Sequence, residues 1–233
     1  MGQKVADSGS MGHNAQASNP PMLTKIKGLE FFQDIHRYRF LDEWVLTSVS
    51  RVCSQDLDPQ TLANIEKYRH GPTGWEKRGN DIHRHLEQFL NGNQETELDE
   101  WSEWVVSLFS DDLFQGVETL ATEYRLVDKY NSVAGSFDFL LRYKDDPNFV
   151  ILGDLKTVAS KRGVSSRKSA TAQLGGYAKM LSQWHPKLVV TQCVTVVSGP
   201  GKTKVIREMP EDCLDAWEEA WGKFQATQAA FDF

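Results

Sequence analysis

The strongest constraint on the fold is a switch of hydrophobic period midway along the chain. Ile82, Leu86, Phe89 and Leu90 recur at helical spacing and Gly92 supplies a stop, which predicts a helix over roughly Trp75 to Asn91. Trp101, Trp104, Val105, Leu108 and Phe109 predict a second amphipathic helix. The period then becomes two. Glu123–Tyr130, Val133–Tyr143 and Phe149–Val158 read as three antiparallel strands, with Asn131-Ser132 and Lys144–Asn148 as their turns. Helical spacing returns over Ser169–Gln183, where Leu174, Tyr177, Ala178 and Leu181 share a face. A β-branched strand at Leu188–Val197, a Ser-Gly-Pro-Gly turn and a short strand through Val205-Ile206 come next. Pro210 opens a last helix with Leu214, Trp217, Trp221 and Phe224 as its buried stripe. This order predicts an α/β domain, a central mixed sheet flanked by helices.

The chain ahead of that core reads differently. Leu29 to Trp44 mixes aromatics with charge and leads into a β-branched run, Val45 to Val52; after the Pro59 break a short helical stretch covers Leu62 to Tyr68, and Gly71-Pro72-Thr73-Gly74 marks a loop. The division expected is a disordered tail at 1–25, an N-terminal arm with helices at 26–70, and the core at 71–233. The tail has neither the apolar core of a secretory signal nor the arginines of a transit peptide, and no apolar run nears the ~20 residues of a membrane helix. A soluble, cytoplasmic protein is expected, from a bacterium or a phage-infected host cell, with no membrane partner. Cys53, Cys193 and Cys213 are far apart and form no CxxC pair, so neither a disulfide framework nor a zinc or iron-sulfur cluster is indicated.

A net charge of -6, from 26 basic and 32 acidic side chains, argues against coating nucleic acid by bulk charge. The distribution says something else. From Leu155 to Arg207 there is no acid, and that block holds ten Lys and Arg; from Glu87 to Glu123 there is no base among ten acids. The expectation is an acidic exterior around a localised basic cleft.

Chemistry concentrates on the strands. In Gly153-Asp154-Leu155-Lys156 the carboxylate and the ammonium are two apart and project from one face, while Leu155 points the other way. Asp138, in Gly135-Ser136-Phe137-Asp138, stands where an antiparallel hairpin brings it beside Asp154. Two such carboxylates must share a cation or a proton. Hard oxygen ligands with a lysine alongside suit Mg2+ or Mn2+ and phosphodiester hydrolysis. An Asp-Lys ion pair on a solvated sheet face is the plain alternative.

The flanking segments extend the pattern: Gly79-x-x-x-His83-x-x-x-Glu87 on a helix, Glu123 on the first strand, Gly135-Ser136-Phe137-Asp138, Gly153-Asp154-Leu155-Lys156-Thr157, and Gln173-x-x-x-Tyr177 on the next helix. In this order they resemble the PD-(D/E)XK nucleases of the RecB-like branch, over roughly Trp44 to Phe224, and are most similar to the mitochondrial genome maintenance exonuclease group and phage exonucleases. Leu46 to Val52 is similar to the Ser-Val-Thr box of that group, with Ser50 where Thr is usual, and Val194-Thr195-Val196-Val197 with the Trp217 and Trp221 helix resembles its ending. The resemblance implies a restriction-endonuclease-like αβββαβ core. It implies that His83, Asp138, Asp154 and the Leu155 carbonyl bind metal and that Lys156 is catalytic. Glu123 is then an additional acidic residue, and Gln173 and Tyr177 support the lysine and the DNA phosphates. Ser48, Ser50, Lys161, Arg162, Arg167 and Lys168 are the candidate DNA contacts.

The activity implied is an exonuclease on single-stranded DNA with free ends, in repair or recombination, with any helicase or recombination partner on another chain because no Gly-x-x-x-x-Gly-Lys motif is present. A structure-specific endonuclease and a non-catalytic nucleic-acid-binding module on the same fold are the competing classes. Some assignments stay open in the sequence. His85 competes with His83, which is favoured by its spacing to Gly79 and Glu87. Glu87 reads equally as a solvated helix charge and Tyr177 as core, and Phe31, Phe32, Tyr38 and Trp44 suit base stacking and core packing alike. The basic run from Ala159 to Lys168 reads as a loop.

Overall fold

A computed structural model describes residues 22–71, 74–93 and 100–231. The expected tail lies outside the described residues except for Met22–Lys25, as do Glu95, Glu97 and Asp99. Leu23 donates its N–H to the Leu120 carbonyl at 2.8 Å, which ties the start of the described chain to the main sheet.

The aromatic, charged segment is a small antiparallel sheet: β1 (Leu29–Phe32), β2 (Arg37–Phe40) and β3 (Glu43–Trp44). His36, Leu41 and Asp42 take positive φ at its two turns. Leu29, Tyr38 and Phe40 pack inward, while Arg37 lies 4.7 Å over the Trp44 ring and Arg39 5.1 Å over Phe32 on the outer face.

The run from Val45 to Val52 does not stay extended. Thr47–Ser48 forms β4, parallel to Val133–Ala134, and the Ser48 hydroxyl then caps α1 (Val49–Ser54) by accepting the Arg51 N–H at 3.2 Å. Val49 and Val52, three apart, are fully buried. Burial of roughly 1.5–3 kcal/mol per side chain outweighs the strand preference of β-branched residues, which is worth at most about 1 kcal/mol.

Next come α2 (Pro59–Lys67), α3 (Trp75–Leu90) and α4 (Ser102–Phe109), then β5 (Val117–Val127), β6 (Val133–Tyr143) and β7 (Val150–Thr157). β6 has the bounds its alternation predicts. β5 begins six residues before the expected Glu123, because its register slips between Thr119 and Ala121 and the slip breaks the alternation. The expected basic loop contains a one-turn helix, α5 (Lys161–Ser166), capped by Ser160 and anchored by buried Val164. α6 (Thr171–Trp184), β8 (Gln192–Gly199), β9 (Lys202–Glu208) and α7 (Pro210–Phe231) complete the chain. β9 is longer than expected because Lys202, Thr203 and Lys204 ahead of Val205-Ile206, and Arg207 and Glu208 after it, also pair with β8 at the sheet edge.

The central sheet runs β4-β6-β7-β8-β9, with β5 on the other side of β6 and β7 parallel to β8. It is a mixed sheet flanked by helices in the expected αβββαβ order, to which α4 and α5 are additions. On one face Leu174, Tyr177, Trp217 and Trp221 of α6 and α7 pack on Phe137, Leu152 and Cys193. On the other, Ile82 and Leu86 of α3 and Leu108 of α4 pack on Phe139, Leu155 and Val196. Among the described residues no helix is long and apolar enough to cross a membrane.

Candidate active site

The site forms where β6 and β7 part. Their ladder runs from Arg142↔Val150 to Phe139↔Gly153 and stops, and at the far end of β6 Val133 and Ala134 take β4 instead. Across the gap the Asp138 side chain substitutes for the missing backbone acceptor: its Oδ2 accepts the Leu155 N–H. In a strand a residue's N–H and C=O face the same edge, so the Leu155 carbonyl also faces this gap. Two glycines permit the packing around it. A Cβ on Gly153 would lie 1.9 Å from the Phe139 ring, and one on Gly135 would lie 2.7 Å from Tyr177 Cε1.

On the α3 side, His83 Nδ1 is 3.2 Å from Asp138 Oδ1 and 3.6 Å from Glu123 Oε1. Glu123 reaches in from β5 through a positive φ of 44°, an uncommon conformation for a residue with a side chain. Donor atoms of His83, Glu123 and Asp138 all lie within 4.8 Å of one another. Metal–oxygen bonds of about 2.0–2.6 Å put opposite donors roughly 4–5 Å apart, so the span suits a divalent ion, and two carboxylates with one imidazole are a suitable donor set.

On the α6 side a second constellation backs the same strand. Lys156 Nζ is 2.8 Å from Asp154 Oδ2, out of line for a hydrogen bond, and donates to Gln173 Oε1 at 2.9 Å. Gln173 Nε2 donates to Asp154 Oδ1 and to the Tyr177 hydroxyl, both at 2.8 Å. One amide thus fixes three side chains. Its own position depends on the start of α6, where Ala170 N–H and the Ser169 hydroxyl meet the buried Thr195 hydroxyl at 2.9 Å and Glu208 binds the Ser169 and Thr171 hydroxyls.

The electrostatics follow from this packing. Burial opposes charge on His83, but Asp138 and then Glu123 outweigh it and the imidazole is pushed up to about 10. Burial pushes Asp138 up, yet His83, Lys156 and the Leu155 amide together hold it below the usual carboxylate range. Asp154 is raised by burial and by Asp138 against the pull of Lys156, and Glu123 by burial and Asp138 against His83. Burial pushes the Tyr177 hydroxyl well up. The two carboxylates thus favour a positive charge at His83, the charge role that a bound cation would take.

The sequence-predicted residues are brought together unevenly. His83, Glu123, Leu155 and Lys156 line a cleft of about 1120 Å³, and His85 is buried on another side of α3. Asp154 is held by Gln173 and Lys156 rather than in the His83 group, where Glu123 stands instead. Glu87 and Arg167 line the cleft; Lys161, Arg162 and Lys168 are exposed outside it. Ser48 is a helix cap and Ser50 is exposed, and neither lines the cleft.

The acid-free block does not make one basic cleft. Lys179 pairs with Glu218 at 2.7 Å, Lys202 and Lys204 bond to α5 and its flank, and Lys25, Arg84 and Arg125 from elsewhere line the cleft. Thr195 and Glu208, and the cleft residues Ile65 and Trp75, were not singled out as site residues in the sequence; only the Asp58-Pro59 helix start signals where Ile65 belongs.

Gln173→Ala is expected to lower kcat about 10–100-fold with little change in KM, as for other residues that orient a reactive side chain. Steady-state kinetics against Gln173→Glu, which adds a charge beside Asp154, checks it: a wild-type kcat in both variants removes the orienting role.

No protein-family profile matches the chain, and no curated protein matches it. Among solved structures, the protein SSO0001 is 14% identical over 75% of this chain and 74% of its own, with a TM-score of 0.39. The Putative exonuclease of Eubacterium rectale is 13% identical over 74% of this chain and 76% of its own, with a TM-score of 0.43. Likenesses this loose transfer no chemistry.

Proposed function

We propose that this chain is a metal-dependent nuclease of the PD-(D/E)XK type, RecB-like branch, that hydrolyses DNA phosphodiesters as an exonuclease on single strands with free ends. The observation that carries it is the convergence of His83, Glu123 and Asp138 from the α3 side and Asp154, Lys156 and Gln173 from the α6 side, at the point where β6 and β7 part. A solvated Asp-Lys pair would not need a buried Asp154, 2% exposed, or an amide dedicated to holding it.

His83, Glu123 and Asp138, with the Leu155 carbonyl, would hold a divalent ion; Asp154 adds charge across the strand. When bound there, Mg2+ or Mn2+ supplies Lewis-acid polarisation of a phosphoryl oxygen and a water of lowered pKa. The protein's own part is positional. Asp138 joins the two faces through Leu155. Lys156, held by Gln173, presents its ammonium to the cleft, where it stabilises charge developing on the phosphate oxygens. Arg167 and Arg125 line the same cleft and suit the phosphates on either side. Met22, Ile26, Leu29 and Ile65 from the N-terminal segment wall one side of the cleft.

Incubating end-labelled single-stranded DNA with magnesium, manganese or EDTA tests the reading. Mononucleotide or short products with either metal, none with EDTA, and intact covalently closed circles are expected. Binding without cleavage in any divalent metal sinks it, and cutting of circles replaces the exonuclease with an endonuclease. Independently of activity, adding Mn2+ to EDTA-treated protein should raise Tm by a few degrees, since a ligand at 100 times its Kd stabilises by about 2.7 kcal/mol. Glu123→Ala should abolish that rise in a thermal melt.

A further inference from the structure

α2 is well initiated but unsupported. Asp58 accepts the Thr61 N–H at 2.9 Å and its hydroxyl at 2.6 Å, and Pro59 fills the first helical position. Yet no residue of the helix is buried. A nine-residue helix is marginal alone in water, because most helical stability in proteins comes from packing an apolar face. α2 has such a face: Leu62 and Ile65, three residues apart, are 46% and 41% exposed.

Ile65 of that face borders the cleft, with Leu62 one turn back along the helix. Trp75 Nε1 donates to the Ile65 carbonyl at 2.6 Å, and the Tyr68 and Arg69 carbonyls accept the Trp75 and Glu76 N–H groups, so α2 is stapled to the first turn of α3. Ile65 and Trp75 line the same cleft as His83, Glu123 and Lys156, and Trp75 is 37% exposed. The cleft therefore combines an apolar rim with cations at Lys156, Arg125 and Arg167. An unpaired nucleic-acid strand has the matching division, with charged phosphates along one side and planar, uncharged bases along the other. In a duplex the bases are paired and stacked inside, and only the phosphates would meet such walls.

We propose that Leu62, Ile65 and Trp75 form a base-contacting wall, which packs the unpaired nucleobases of the strand whose phosphates lie against Lys156 and Arg167. The proposal rests on the nuclease reading for what occupies the cleft, and it assigns α2 as the element that discriminates unpaired strands from duplex. Base stacking and apolar contact are sequence-tolerant, so the wall selects for single-strandedness and not for sequence.

Binding with calcium in place of magnesium tests it, using fluorescence anisotropy of oligothymidylate and of an abasic oligonucleotide of equal length. The intact protein should bind oligothymidylate about tenfold or more tightly than the abasic strand. The Leu62→Ser/Ile65→Ser variant, altered only at exposed positions, should lose that preference and bind the abasic strand as before. Hydrogen exchange on the intact protein gives a second readout: α2 amides should exchange fast when free and gain protection with oligothymidylate but not with the abasic strand. Equal affinity for the two strands overturns the proposal, and so does a preference that survives the double substitution. Protection of α2 that rises with protein concentration alone also overturns it, by making a second copy the occupant. Hydrolysis without base preference overturns the wall and leaves the nuclease; base preference without hydrolysis in any divalent metal does the reverse.

Discussion

Asp138→Asn should reduce hydrolysis by about 10³-fold or more while the protein stays folded. The substitution keeps the shape and one acceptor oxygen, so the Leu155 N–H retains a partner across the gap between β6 and β7. It removes the charge that His83 faces at 3.2 Å and leaves two strong donors where there were three. Lewis-acid stabilisation of the reacting phosphate is worth several kcal/mol, and each 1.36 kcal/mol is about tenfold in rate. Lys156→Ala provides the contrast: a loss of about 10²–10³-fold in kcat, the cost of removing one donor to developing charge, with metal binding retained. Single-turnover hydrolysis paired with manganese titration separates the two. Asp138→Asn cleaving at the native rate, or Lys156→Ala losing manganese and Asp138→Asn keeping it, would reverse the assigned roles.

The second large effect concerns stability. A Cβ at Gly175 of α6 would stand 1.8 Å from the Cys213 carbonyl oxygen and 2.9 Å from Trp217 Cβ of α7. The obstacle is backbone, so no rotamer change relieves it and the two helices must separate. Gly175→Ala should cost about 3 kcal/mol, the upper part of the usual overpacking range, and lower Tm by roughly 6–12 °C. Gly222→Ala on α7 is the control: an added Cβ meets nothing within 4 Å, and replacing an exposed helical glycine is neutral or stabilising by up to about 1 kcal/mol. Thermal melts of both variants decide it; equal midpoints would mean that the α6–α7 contact yields more easily than its geometry indicates.

Much of the architecture was legible because burial writes itself into period. Leu140 and Leu152 face α6 and α7 while Leu141 and Ile151 face α3 and α4, and a sheet covered on both faces keeps strong apolar signals. Asp154 and Lys156 interrupt that signal, which makes them visible. Spacing favoured His83 over His85 in the sequence, and the structure turns the two to different sides of α3.

What was hidden depends on irregularity or on partners far along the chain. Glu123 sits in a distorted stretch of β5, so nothing local shows that it stands in the His83 group where Asp154 was expected. The β4 pairing with Val133–Ala134 is parallel and two residues long, too short for any period. The basic block looked like one surface because consecutive charges are easy to count. Its lysines in fact separate to Glu218, to α5 and to the cleft.

The position of Leu155 has a consequence for how this activity can arise in a cell. One side of the site comes from α3 and the other from α6, with β7 between them and the cleft open to both. A chain still emerging from the ribosome, with α3 made and α6 not, holds one half of the site without the other. On the proposed reading, hydrolysis waits until both helical layers have closed on the sheet.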